Sequence, residues 1–275
     1  MRCAVLGDPI AHSLSPVLHR AGYDALGLAW TYEAHRVPAG GLAGFVDGLD
    51  QDWRGLSVTA PLKREALAAA TARSETAVLA GGANTLVRGD DGWHADNTDV
   101  PGARAAVRER WDGPVRSATV LGGGATAAST GLALCDLGAT TVRLLVRSPE
   151  RAAEAAEVVA AHPSAPRVDV GRLADDPVEG DVVVSTVPAS AQDESLVARC
   201  ADVPVVFEVL YDPWPTPLAA AAGDRVLVGG LDLLVHQAAL QFRAFTGVAA
   251  PIAVMREAGE RALAERAAAG RERHG

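Results

Sequence analysis

Residues 117 to 137 place the tightest constraint on the fold. An apolar run, Ser117-Ala118-Thr119-Val120-Leu121, enters Gly122-Gly123-Gly124-Ala125-Thr126-Ala127 and continues as a helical stretch, Ala128–Leu137. Strand, glycine turn and helix in that order open a dinucleotide-binding unit. Gly122 permits the tight turn and Gly124 lets backbone approach a pyrophosphate. The small Ala127 lets the helix pack closely with its N-terminus facing the phosphates. A glycine pattern alone is weak evidence, so the next strand matters. Thr141–Val146 ends about 20 residues further on, where an Asp or Glu would bind the ribose 2′-hydroxyl of NAD. The chain instead offers Arg147-Ser148-Pro149-Glu150-Arg151. Two guanidiniums and a hydroxyl suit a 2′-phosphate, so NADP is the expected cofactor. The competing reading of Arg147 and Arg151 is a solvated helix start.

The rest of the chain alternates short β-type runs with longer helical ones. The first half reads as Arg2–Leu6, a helical Pro16–Leu26, Thr31–Val37, Leu56–Val58, a helical Leu62–Ala80, and Thr85–Arg88, whose turn Gly89-Asp90-Asp91-Gly92 leads to Trp93. After a helical Val100–Arg110 the polar break Trp111-Asp112-Gly113-Pro114 precedes a new strand series. Its members are Ser117–Leu121, Thr141–Val146, Val182–Thr186 and Val205–Val209. The restart marks a domain boundary near residues 100–115. Leu231–Thr246 and Ile252–Ala268 read as C-terminal helices, the second with a solvated Arg/Glu face. The fold class is therefore α/β.

Composition narrows the function. A net charge of −9 and a pI near 5.3 argue against a nucleic-acid or anionic-membrane surface. No apolar run reaches the roughly 18 residues of a spanning helix, and no basic-then-apolar leader opens the chain, so a cytoplasmic protein is expected. Cys3, Cys135 and Cys200 are odd in number and embedded in apolar segments, which suits reduced core thiols. His12, His94 and His236 lack the spacing of metal ligands, and no metal is expected.

The chain has a single lysine, Lys63, beside 24 arginines, and only two asparagines, Asn84 and Asn97. Arginine serves wherever a generic positive charge suffices; lysine alone of the two can exchange a proton. Composition alone leaves Lys63 equally a catalyst or a remnant. Its loop, Ser57-Val58-Thr59-Ala60-Pro61-Leu62-Lys63, leaves a strand and enters a helix, where open α/β sheets bind ligands. An earlier loop, Gly7 to Pro16, places Ser13 and Ser15 at another strand-to-helix junction. Their hydroxyls, with free N–H groups, can hold a carboxylate, or Ser15 can simply cap the helix. Asn84 and Asn97 flank the hairpin, where turn chemistry alone also explains asparagine.

Five separated motifs appear in order: Pro9-Ile10-Ala11-His12-Ser13-Leu14-Ser15-Pro16, Val58-Thr59-Ala60-Pro61-Leu62-Lys63, Gly82-Ala83-Asn84-Thr85-Leu86, Asp96-Asn97-Thr98-Asp99, and Gly230-Leu231 through Gln237-Ala238. Together they resemble the shikimate dehydrogenase family over nearly the whole chain. The resemblance implies reversible reduction of 3-dehydroshikimate to shikimate with NADPH. On the matching positions Ser13 and Ser15 would hold the carboxylate, and Thr59, Asn84, Asp99 and Gln237 the ring hydroxyls. Lys63 and Asp99 would be the catalytic pair, with Lys63 protonating the alkoxide that hydride transfer creates. Tyr211 matches a tyrosine near the substrate, although a packing role in its Pro-rich loop competes. The implied cofactor contacts are Gly122, Gly123, Gly124, Ala125, Arg147, Ser148, Arg151, Thr186, Val187 and Gly230.

The implied architecture has two domains with a cleft between them. Residues 1–100 and 235–275 would form the substrate-binding and catalytic domain, and residues 101–234 a Rossmann-type NADP domain, in a monomer or homodimer. Three departures from the family pattern stand out. Ser57 replaces the usual asparagine and would reach a substrate hydroxyl only through water. Val146 replaces the asparagine before the cofactor arginine, and Ser185-Thr186-Val187-Pro188 replaces Asn-Ala-Thr. Two alternatives stand beside this reading: a relative acting on quinate or an aminated analogue, and a non-catalytic nucleotide-sensing module.

Overall fold

The computed structural model describes residues 1–272. The first six strands and their helices are β1 (Arg2–Gly7), α1 (Ser15–Ala25), β2 (Thr31–Arg36), α2 (Leu42–Asp47), β3 (Trp53–Val58), α3 (Lys63–Ala69), β4 (Ala72–Arg73), α4 (Glu75–Leu79), β5 (Thr85–Gly89) and β6 (Gly92–Asp96). Then come α5 (Asp99–Arg110), β7 (Ser117–Leu121), α6 (Ala125–Asp136), β8 (Thr141–Val146), α7 (Ala153–Ala160), β9 (Arg167–Arg172), β10 (Val182–Ser185), α8 (Glu194–Arg199), β11 (Val205–Glu208), α9 (Pro217–Ala220) and β12 (Val226–Val228). The chain finishes with α10 (Gly230–Thr246) and α11 (Ile252–Glu272). It divides into two compact units, Met1–Thr98 with Leu234–Gly275, and Asp99–Leu233.

The first unit holds a six-stranded mixed sheet in the order β2-β1-β3-β5-β6-β4. β2, β1 and β3 run parallel, and β5 and β6 form the expected antiparallel hairpin, Gly89 pairing with Gly92. One expectation fails here. Leu62–Ala80 is not a single helix: Ala70 turns extended, β4 pairs with β6, and Ser74 starts α4 by accepting the Ala77 N–H at 3.1 Å. Thr71 and Ser74 donate their N–H groups to Trp93 and Ala95 across that pairing. Sheet hydrogen bonds outweigh the helix preference of an alanine-rich segment. One face of the sheet buries Leu6, Trp53, Leu56, Leu86 and Trp93 with Leu62. An aromatic cluster of Tyr23, Tyr32, Phe242 and Phe245 joins α1 and α10, with His19 inside it.

The second unit is a six-stranded sheet, all its pairings parallel, in the order β12-β11-β10-β7-β8-β9. Numbered within the unit from β9, that is 3-2-1-4-5-6, the order of a doubly wound dinucleotide-binding sheet. Its central strands are mainly apolar, as strands covered on both faces must be; Val182, Val183, Val184, Val205 and Val206 are all fully buried. β9 and β12 lie at the two edges and escape the sequence reading, because β9 alternates charges and β12 spans only three residues. Among the described residues no helix is long and apolar enough to cross a membrane.

Candidate active site

In the first unit, two strand-to-helix loops are joined. The Asp8 N–H donates to Ala60 O at 3.0 Å and the Thr59 N–H to Leu6 O at 2.9 Å, so the loop of Ser13 and the loop of Thr59 lie together at the C-terminal ends of β1 and β3. Ser15 is the first residue of α1 and does not cap it; Leu14 holds the cap position, and the Ser15 N–H donates to Ser13 Oγ at 3.3 Å. Lys63, half-buried, opens α3. Its carbonyl accepts the Ala83 N–H at 2.8 Å, which sets the Gly82–Asn84 segment directly against it. Asn97 fixes that segment by donating Nδ2–H to Gly82 O at 2.8 Å.

Asn84 and Gln237 are both buried. The Asn84 amide Nδ2 donates to Gln237 Oε1 at 3.3 Å and to Thr98 Oγ1 at 3.0 Å, and its Oδ1 accepts the Thr98 N–H at 2.8 Å. Ser57, expected to reach the substrate through water, is taken up inside the protein instead. It is 3% exposed, accepts from the Tyr32 hydroxyl at 2.5 Å and donates to Gln241 Oε1 at 2.7 Å. The shorter side chain leaves room for Tyr32 and Gln241 to close on it. Tyr32, Gln241 and Thr98 were not singled out from the sequence; the available signal was Gln241 one helical turn beyond Gln237, a second amide on one face of an apolar helix.

His19 is 0% exposed, with neither ring nitrogen in a hydrogen bond of proper geometry, although the ring lies beside Gln241. It stacks on Tyr32 at 4.2 Å. Burial pushes its imidazole down to about 3. The three cysteines are buried and unpaired, and burial raises each thiol to about 11, which makes them inert.

In the second unit the strand order reverses between β7 and β10, the crevice where such sheets bind ligands. Gly122 follows β7 there with φ +120°, and a Cβ at that position would collide with Thr186 Oγ1 and touch Val187. Thr186 donates its hydroxyl to Leu121 O at 2.9 Å. Gly124 is the N-cap of α6, uncapped by any side chain, with open space where a side chain would stand; Ala125 beside it is exposed, and Gly123 is half-buried. An uncapped helix N-terminus behind a glycine turn can hold a phosphate. Arg147, at the tip of β8, is exposed and forms no ion pair among the described residues. The Ser148 hydroxyl donates to the Glu150 carboxylate, holding it below the usual carboxylate range. The side chain of Arg151 lies outside the described residues.

Tyr211 is half-buried in the loop after β11, which is braced by Glu208. That carboxylate is fully buried and accepts from Gln192 Nε2 at 2.6 Å, the Thr216 hydroxyl at 2.9 Å and the Leu210 N–H at 3.0 Å. Burial raises its pKa against these hydrogen bonds. Gly230 has a packing reason: a Cβ there would strike the Val209–Leu210 backbone. Asp99 is the first residue of α5.

Comparison with known proteins agrees with this arrangement. A family model described as the shikimate dehydrogenase substrate binding domain matches residues 5–86, and one described as the shikimate 5'-dehydrogenase C-terminal domain matches residues 230–258. A shikimate dehydrogenase (NADP(+)) of Moorella thermoacetica is 33% identical over 267 residues, covering 92% of this chain and 90% of its own. The crystal structure of Mycobacterium tuberculosis shikimate dehydrogenase superimposes with a TM-score of 0.85 at 41% identity, covering 96% of this chain and 99% of that one. The Thermus thermophilus enzyme, solved with NADP(H) and shikimate, gives a TM-score of 0.80 at 30% identity over 95% of this chain and 99% of its own. With both family models matched in chain order and relatives of this likeness spanning almost every residue, the protein belongs to the shikimate dehydrogenase family.

Proposed function

We propose that the protein reduces 3-dehydroshikimate reversibly to shikimate with NADPH, with Lys63 and Asp99 as its acid–base pair. One observation carries the reading: the only lysine lies hydrogen-bonded through its backbone to the segment that bears Asn84, whose amide meets that of Gln237. A proton donor and two hydroxyl-binding amides thus belong to one neighbourhood, beside the loop of Ser13 and Ser15. The names of the relatives, and the ligands of the Thermus thermophilus structure, support the same substrate and cofactor.

Residues 1–100 with 235–275 serve as the substrate-binding and catalytic domain, and residues 101–234 as the NADP domain. Ser13 and Ser15 hold the carboxylate. Thr59, Asn84, Tyr211 and Gln237 orient the ring through its hydroxyls. The free N–H groups at Gly124 and Ala125 and the open Gly122–Gly123 turn fit the pyrophosphate, Thr186, Val187 and Gly230 border it, and Arg147, Ser148 and Arg151 take the 2′-phosphate. NADPH, when bound, supplies hydride to the C3 carbonyl carbon. Lys63 gives its proton to the carbonyl oxygen as negative charge builds there, and Asp99 orients the ammonium and the neighbouring hydroxyl. Three buried, unpaired thiols accord with a cytoplasmic setting.

The test is reduction of NADP+ or NAD+, followed by the absorbance of the reduced nicotinamide, with shikimate and then quinate. Fast turnover of shikimate with NADP+ is expected. Preference for quinate would move the substrate to the second reading, and no turnover with either would sink both enzyme readings.

A further inference from the structure

The side chains around Asn84 form a chain of hydrogen bonds in which backbone groups set the direction of each amide. The Gln241 amide nitrogen donates to Asn84 O at 3.0 Å, so Gln241 Oε1 must face Ser57, whose proton it accepts at 2.7 Å. Ser57, having given its proton, receives that of Tyr32. The other Gln241 N–H goes to Thr85 Oγ1 at 3.0 Å, and Thr85 donates to Asn84 Oδ1 at 2.8 Å. The Thr98 backbone N–H reaches the same oxygen at 2.8 Å. The carboxamide oxygen of Asn84 is thereby filled from inside and its nitrogen faces Gln237. Gln237 in turn donates Nε2–H to Leu234 O at 2.9 Å, which leaves Oε1 as the face it shows Asn84. The Asn84–Gln237 bond, at 3.3 Å, is longer than these others.

We propose that Gln241, backed by Ser57 and Tyr32, is a positioning residue that through Thr85 holds Asn84 as a donor toward Gln237, itself set as an acceptor by its bond to Leu234 O, so that the group recognised between them is a ligand hydroxyl. A hydroxyl accepts from one amide and donates to the other. A carbonyl or an ether satisfies only Asn84, and an ammonium only Gln237. This rests on the reading of the substrate as a hydroxylated ring acid and adds the device that sets its polarity. Gln237 and Gln241 are four residues apart on α10, so one helix face carries both the contact and its support.

The experiment compares kcat/KM for shikimate with that for analogues each lacking one ring hydroxyl, in the wild type, Gln241→Leu and Tyr32→Phe. Tyr32→Phe keeps the ring stacked on His19 and forms no hydrogen bond with Asn84 or Gln237. Gln241→Leu should raise the KM for shikimate about tenfold and lower discrimination against one analogue by the same factor, the worth of a hydrogen bond to a neutral partner. Tyr32→Phe should act in the same direction by about threefold, with the KM for NADP+ unchanged in both. If Gln241→Leu does not fold, as read by circular dichroism, Tyr32→Phe decides alone. Turnover by the wild type with unchanged discrimination in the folded variants overturns this proposal only. No turnover by the wild type overturns the functional reading beneath it.

Discussion

Replacing His19 by phenylalanine should make the protein less sensitive to acid. In the fold the imidazole is enclosed by Tyr32, Tyr23, Phe242 and Phe245, and its pKa falls from 6.5 to about 3 because burial disfavours the charged ring. The unfolded chain takes up a proton below 6.5 and the folded chain does not. Stability is therefore complete above that value and is lost progressively as pH falls towards 3. Each pH unit below 6.5 costs about 1.4 kcal/mol, so at pH 5 the loss is about 2 kcal/mol. Phenylalanine keeps the flat ring against Tyr32 and cannot titrate. Urea unfolding at pH 7.5 and pH 5, read by tryptophan fluorescence, should show the wild type losing about 2 kcal/mol more than His19→Phe over the interval. Parallel losses would refute the argument, since they would mean that the folded protein protonates His19 as readily as the unfolded chain does.

Lys63→Arg keeps the charge and should lower kcat by at least about 100-fold, the usual worth of a positioned acid, while KM changes only a few-fold; steady-state kinetics with near-normal kcat would remove Lys63 from the chemistry. Arg147→Ala should raise the KM for NADPH about tenfold and leave that for NADH unchanged, because only the former has a 2′-phosphate to lose; equal changes for the two would contradict the assignment. Glu208→Ala leaves the Gln192 amide, the Thr216 hydroxyl and the Leu210 N–H without their acceptor, and should cost about 3 kcal/mol in urea unfolding. A loss below about 1 kcal/mol would show that water replaces the carboxylate.

Much of the fold was legible because β7, β8, β10 and β11 are dominated by apolar, β-branched residues and bounded by turn residues, as buried parallel strands require. The glycine turn at Gly122 was legible for a related reason: few other sequences open a helix there without blocking the phosphate. β4 was hidden because its partner, β6, is set by tertiary pairing, while the alanines around it favour a helix when read locally. At the site, the residues proposed to meet the ligand could be named from motifs. Tyr32 and Gln241 could not, and Ser57 was named for a different role, because these three satisfy one another and a hydrogen-bond network leaves little trace in the spacing of the chain. His19 escaped too, since it takes an apolar position on α1 that any aromatic residue fills equally well by pattern.

The first unit is assembled from both ends of the chain, residues 1–98 and 234–275, and α1 packs against α11 more than two hundred residues away. During synthesis every residue of the second unit has therefore emerged before the helices that complete the first. The N-terminal strands wait for α10 to emerge, because Phe242 and Phe245 cover Tyr23 and His19, and Gln241 supplies the partner for Ser57. Domains made on the ribosome ordinarily fold from the N-terminus onward. Here the order is inverted: the earliest-made unit is the last to close, and a chain that stops short of α10 forfeits its beginning rather than its end.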